Sequence, residues 1–154
     1  MEISDILSLS GVIPAMKTSS KKHALQGISD VAGRLTGLHE RTVFDALLER
    51  ERLGSTGVGN GVAIPHGRMS GISQLHAVFA RLSQRIHFES VDEQPVDLIF
   101  LLLAPKNAGA DHLKALAKIS RLLRNEGICE QLRGSDTAEA IYALLTDTPT
   151  ETAA

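Results

Sequence analysis

The stretch Gln94-Pro95-Val96-Asp97-Leu98-Ile99-Phe100-Leu101-Leu102-Leu103-Ala104-Pro105 is apolar at every position from Leu98 to Ala104 and is closed by a proline at either side. A run this short, with no polar alternation, reads as a strand buried on both faces, and such a strand belongs in the middle of a sheet. Working outward, His76 to Leu82 reads as a second strand and Ile86 to Phe88 as a minor one. Val62-Ala63-Ile64 reads as a short strand ended by Pro65, which leaves His66 where the strand stops.

Helices flank these strands on both sides in sequence. Ala24, Leu25, Ile28, Val31, Ala32 and Leu35 recur at helical spacing, with Ser19 or Ser20 as N-cap and Gly37 near the stop. A second helix runs from about Glu40 to Leu53, with Val43, Phe44, Leu47 and Leu48 inward and Gly54 suited to a left-handed cap. Asp111 to Arg124 predicts a third, with Leu113, Leu116, Ala117 and Leu123 on one side and Gly127 after it. An acidic capping box at Asp136-Thr137-Ala138-Glu139 opens the last. Ile3 to Leu9 is expected as a short helix at an edge, before the punctuating Gly11 and Pro14. The order predicts one α/β layered domain with a mixed β-sheet flanked by helices over residues 1–147, and a flexible tail over 148–154.

Composition narrows the function. The 154 residues include 16 basic and 18 acidic side chains, a formal charge of −2, without the basic patch that nucleic-acid or anionic-membrane binding needs. Aromatics are 3% with no Trp, too few for a base-stacking surface. No apolar run approaches the roughly 18 to 20 residues of a membrane span, so neither nucleic-acid binding nor membrane insertion is expected, and the cytoplasm is the expected location. Cys129 stands alone and is read as a packed thiol; no cofactor or metal is expected.

The chemistry concentrates in Gly54-Ser55-Thr56-Gly57-Val58-Gly59-Asn60-Gly61-Val62-Ala63-Ile64-Pro65-His66-Gly67. Glycines allow positive φ and bring backbone N–H groups close to an anion, and Ser55, Thr56 and Asn60 add short side-chain donors. A histidine beside such a loop can attack phosphorus while the donors neutralise the equatorial oxygens. A plain connecting loop explains the same composition. A nucleotide-binding Walker loop does not fit, because Asn60-Gly61 stands where Lys-Ser/Thr is required. The dinucleotide fingerprint has Val62 in place of its third glycine.

From Arg50 to Gly67 this segment resembles the active-site signature of the IIA proteins of the phosphoenolpyruvate-dependent phosphotransferase system. The type it resembles is the nitrogen-regulatory one, related to mannitol and fructose IIA domains. The likeness runs from about Ile3 to Asp147 and includes Ser20-Lys21-Lys22 and Asp111-His112-Leu113. It implies a histidine phosphocarrier with His66 phosphorylated by a small HPr-like carrier protein and with His112 and Arg50 beside it; Ser55, Thr56, Gly57, Asn60 and Gly67 are the residues read as a phosphate-binding loop. It also implies a mainly regulatory role, with targets such as potassium-transport or sensor-kinase proteins; a IIA subunit of fructose or mannitol uptake is the alternative. Imidazole suits the acceptor role, since at its ordinary pKa of about 6.5 roughly three quarters of such rings are neutral and nucleophilic at pH 7.

Two other classes compete. His66, His112 and Asp111 could hold zinc, but 46 residues separate the histidines and neither has a closely spaced second ligand. A binding module with the fold and no phosphorylation is the third reading. His23, His39, His76 and His87 are read as ordinary residues.

Overall fold

A computed structural model describes residues 1–146, so the expected tail at 148–154 lies outside the described residues. The architecture is the expected mixed sheet between helical layers. Its strands are β1 (Val12–Met16), β2 (Gly57–Gly59), β3 (Val62–Ala63), β4 (His66–Met69), β5 (His76–Ile86) and β6 (Val96–Pro105). The spatial order is β1-β5-β6-β3-β2, and β4 also pairs with β6. As its composition requires, β6 is central: it runs antiparallel to β5 and parallel to β3 and β4, and Leu98 to Leu103 are all 0–1% exposed.

Alternation divides each strand between two cores. Leu98, Phe100 and Leu102 join Ala77, Phe79, Val62 and Ile64 in the core beneath α3 (Ala110–Leu123), α4 (Glu126–Arg133) and α5 (Ala138–Thr146). Ile99, Leu101 and Leu103 join Val78, Ala80, Ala63 and Met69 beneath α1 (Lys21–Thr36) and α2 (Glu40–Arg52). The caps of α1 are as expected, with Ser20 Oγ accepting the His23 N–H and Gly37 left-handed at φ +82°.

Several expectations are corrected. Strand β1 was hidden by Gly11 and Pro14; it is an edge strand, where a proline costs no central ladder bond. Ile86 ends β5 rather than opening a strand of its own. The chain does not stop pairing at Pro65: Val62 lies opposite Leu98 and His66 opposite Leu102, so β3 and β4 are one line in one register with a gap in the ladder. Pro65 lacks an N–H, and its carbonyl accepts the Leu102 N–H. Gly127 lies inside a helix, α4, whose N-cap Asn125 accepts the Ile128 N–H. Thr137 rather than Asp136 supplies the side-chain acceptor at the start of α5, taking the Ala140 N–H at 3.2 Å. Gly54 has φ +149°, outside the left-handed helical region predicted for it. The buried face of α3 is His112, Ala115, Ile119 and Leu123, and Leu113 is exposed.

Candidate phosphoryl-acceptor site

His66 opens β4, which pairs with β6 on one edge and, among the described residues, with no strand on the other. The side chains of Ile64, His66 and Arg68 lie on the α3 side of the sheet, while that of Met69 and the bare Cα of Gly67 face α1 and α2. The His66 ring is half-buried and oriented by its own strand, with Nδ1 2.9 Å from the Ile64 carbonyl oxygen. A carbonyl only accepts, so Nδ1 carries the hydrogen and donates, and the lone pair is on Nε2.

Arg50 reaches that nitrogen from the last turn of α2, with Nε 3.4 Å from His66 Nε2. Its Nη1 donates to the Gly54 carbonyl at 2.9 Å, which fixes the guanidinium across the end of its own helix. The Nε contact is long for a hydrogen bond and yields easily to a better acceptor. On the opposite side His112 is the third residue of α3, 6% exposed, its ring centroid 5.8 Å from that of His66 in an edge-to-face arrangement. Among the described residues neither His112 ring nitrogen has a hydrogen-bond partner. Burial first, then the charges of Arg68 and His66, hold its pKa below the ordinary imidazole value. The positive end of α3 acts in the same direction.

The three residues expected to react are thus brought together from α2, β4 and α3. The expected loop residues are not gathered with them. Ser55 Oγ donates to the Phe88 carbonyl at 2.8 Å and accepts the Gly57 N–H. Thr56 is buried with its hydroxyl and N–H both on the Glu51 carboxylate. Gly57 packs on Ser90, whose Oγ would lie 2.3 Å from a Cβ there. Asn60 is at the hairpin end: its N–H is on Asp92 at 3.0 Å and its carbonyl accepts from Arg133 at 2.8 Å. That N–H and the Gln94 N–H hold the Asp92 carboxyl below the usual carboxylate range. The Gly61 carbonyl bonds Asp97 N–H, five residues before Leu102 on β6, so the hairpin end lies about 16 Å along the sheet from His66. Gly67 is in place beside His66, and a Cβ there would meet Ala46 and Leu47 only at 4.0 Å.

Two contributors escaped the sequence reading. Glu51 is 3% exposed at its side chain and pairs with Lys21 at 2.8 Å, tying the start of α1, the end of α2 and Thr56 into one knot beside Arg50. No local spacing announces a contact 30 residues away. Arg68 follows His66 by two on the same strand face, a signal that alternation did offer. Of the other histidines, His39 caps α2 through Nδ1 at 3.0 Å from the Arg41 N–H. Among the described residues no three His, Cys, Asp or Glu side chains converge as a metal would require.

Comparison with known proteins agrees with the signature. Residues 5–148 match the family model described as phosphoenolpyruvate-dependent sugar phosphotransferase system, EIIA 2. A nitrogen regulatory protein of Bradyrhizobium diazoefficiens is 55% identical over 145 residues, covering 94% of this chain and 95% of its own. The crystal structure of nitrogen regulatory protein IIA-Ntr from Neisseria meningitidis superposes with a TM-score of 0.89 at 40% identity, over 94% of this chain and 99% of that one. IIA mannitol from Escherichia coli, at 20% identity and a TM-score of 0.77 over 90% and 98%, shares the fold. With a signature, a sheet topology and a full-length relative all in agreement, the chain belongs to the EIIA 2 family of the phosphoenolpyruvate-dependent phosphotransferase system.

Proposed function

We propose that this chain is a histidine phosphocarrier and regulator of the nitrogen-related phosphotransferase system, carried by residues 1–147 and working in the cytoplasm. His66 Nε2 accepts a phosphoryl group from the phosphohistidine of a small HPr-like carrier. The observation that supports this most directly is the 2.9 Å contact of Nδ1 with the Ile64 carbonyl, which assigns the hydrogen to Nδ1 and leaves a lone pair on Nε2 beside Arg50 and His112.

In the transfer, the donor's N–P bond breaks as the bond from Nε2 to phosphorus forms, and the donor imidazole keeps the electron pair of the broken bond. His66 retains its Nδ1 proton, so the ring becomes cationic beside a phosphoryl dianion and remains a good leaving group for onward transfer. The Ile64 carbonyl steadies that ring charge. Arg50 exchanges its weak contact with Nε2 for the phosphoryl oxygens, a charge-assisted bond worth about 1.5 to 3 kcal/mol. His112 donates a ring N–H to the same oxygens and gains the partner that it lacks. The loop residues Ser55, Thr56, Gly57 and Asn60 enter as the frame that sets Arg50 and β3 rather than as phosphate ligands.

Regulation follows from charge. A phosphoryl group adds negative charge to the surface at His66 and changes which partner surface can dock there, and targets such as potassium-transport or sensor-kinase proteins fit this reading. The relative named as a nitrogen regulatory protein supports it. Membership of a sugar phosphotransferase family supports a IIA subunit of fructose or mannitol uptake as the second reading. The test is intact mass after incubation with phosphoenolpyruvate and the general phosphotransfer proteins. An acid-labile gain of one phosphoryl group, absent in His66→Ala, is expected; no gain in the wild type overturns the proposal. Pull-down with wild type, His66→Ala and His66→Asp then separates the readings, since a regulator retains different partners in different charge states.

A further inference from the structure

Arg68 has no part in the chemistry derived so far, yet it stands in the same field. It follows His66 by two positions on β4, about 7 Å on along the strand, and its side chain is on the same face. Its guanidinium is exposed, and among the described residues it makes one hydrogen bond, Nη1 donating to the Lys106 carbonyl at 3.2 Å, on the segment that leads into α3. A guanidinium has five N–H donors, so four are free for an anion. Its charge reaches His112, whose unpartnered ring is the buried wall of the site.

We propose that Arg68 supplies a second guanidinium to the phosphoryl group on His66, and that its charge keeps His112 a neutral hydrogen-bond donor rather than an acid. The inference rests on the reading of His66 as the phosphoryl acceptor. The groups that face His112 are Arg68 and His66 from β4 and Asp111 from its own helix, with Arg50 beyond His66 from α2 and Lys106 on the approach to α3. Arg68, Arg50 and Lys106 are cationic and Asp111 is exposed; on phosphorylation the positive charge of the His66 ring is outweighed by the dianion it carries. A proton added to His112 would put a second N–H on a ring that is 6% exposed and already has no acceptor for the first. Two guanidinium groups already match the two charges of the dianion. When the phosphoryl group arrives, Arg68 gives up one exposed bond to a neutral carbonyl and gains charge-assisted bonds that are about twice as strong. Arg50 and Arg68 then approach from opposite layers of the sheet, and neither can substitute for the other.

The test uses the full chain as wild type, Arg68→Met and Arg68→Lys, each loaded by the carrier or chemically with phosphoramidate. Two titrations are read: the phosphoryl oxygens by ³¹P NMR, and the His112 ring in the unphosphorylated protein by ¹⁵N NMR. Arg68→Met is expected to move both titrations to higher pH, because a cation that favours the phosphoryl dianion and opposes the imidazolium has gone. Arg68→Lys restores both in direction, while transfer from the carrier slows about tenfold or more in Arg68→Met. An unmoved ³¹P titration in Arg68→Met overturns the contact, even if the transfer is slower, because lost carrier docking would slow transfer too. An unmoved His112 titration overturns its neutralising role. A wild type that takes no phosphoryl group on His66 from either source removes the acceptor reading itself, a different result from phosphorylation with unchanged titrations.

Discussion

At the residue scale, His66, Arg50 and His112, which take part in the proposed transfer, stand apart from residues that shape the site. Removing the Arg50 guanidinium in Arg50→Ala is expected to slow phosphoryl transfer by about 10² to 10³, by analogy with the loss of one preorganised oxyanion donor, in a rapid-quench assay. Ser55→Ala is expected to leave the transfer rate within about threefold, because its hydroxyl is spent on the Phe88 carbonyl, and to lower the stability by about 1 kcal/mol. A rate loss in Ser55→Ala as large as that in Arg50→Ala would return that hydroxyl to the phosphate. The histidines also give the stability a pH dependence. His112 and His76 are both held below the ordinary imidazole value when folded, chiefly by burial. The unfolded chain therefore binds more protons between the folded value and about 6.5, and stability rises with pH through that window and levels off above it. Calorimetry should show a lower Tm at pH 5.5 than at 7.5, with a shallower slope in His112→Asn. His66 and Arg50 were legible in sequence because a long continuous motif carries both. Arg68 was legible only through strand alternation, which needed β4 to be seen first.

At the element scale, the legible parts were those whose signals are local. Helix α1 announces itself by periodicity and by Ser20 and Gly37, and β6 by its unbroken apolar run. Where a punctuating residue is tolerated by its surroundings, the local signal misleads. Pro14 sits on an edge strand, Pro65 falls at a gap where its carbonyl alone is needed, and Gly127 occupies the first turn of α4, where Asn125 supplies the cap. The Glu51 knot was invisible because its partners lie on different elements. Glu51→Ala would leave the Thr56 donors without their acceptor and the Lys21 ammonium without its buried one, and about 3 to 5 kcal/mol of stability should be lost in urea unfolding. Lys21 retains an exposed partner in Glu89 at 3.2 Å, which places the loss toward the lower end. Because α2 ends in this knot, the phosphoryl transfer rate of Glu51→Gln at full folding reports how far it also aims Arg50.

At the scale of the whole molecule, two apolar cores meet across one sheet, and the groups proposed to act in the transfer come from both layers. Tight packing at the hairpin links that sheet to the loop before it. A Cβ on Gly57 would stand 3.0 Å from Ser90 Cα, so Gly57→Ala is expected to cost about 1 to 3 kcal/mol by overpacking, read from the denaturation midpoint. An unchanged midpoint would mean that the Ser90 backbone yields freely. The common register of β3 and β4 has a consequence for the evolution of the site. Because side chains switch sides at each step, the count of residues between Ala63 and His66 sets the phase of the imidazole. An insertion or deletion of one would turn the ring toward the α1–α2 layer and away from His112, and a change of two would turn it back. The parity of that short segment, as much as the identity of its residues, is what natural variation has to preserve.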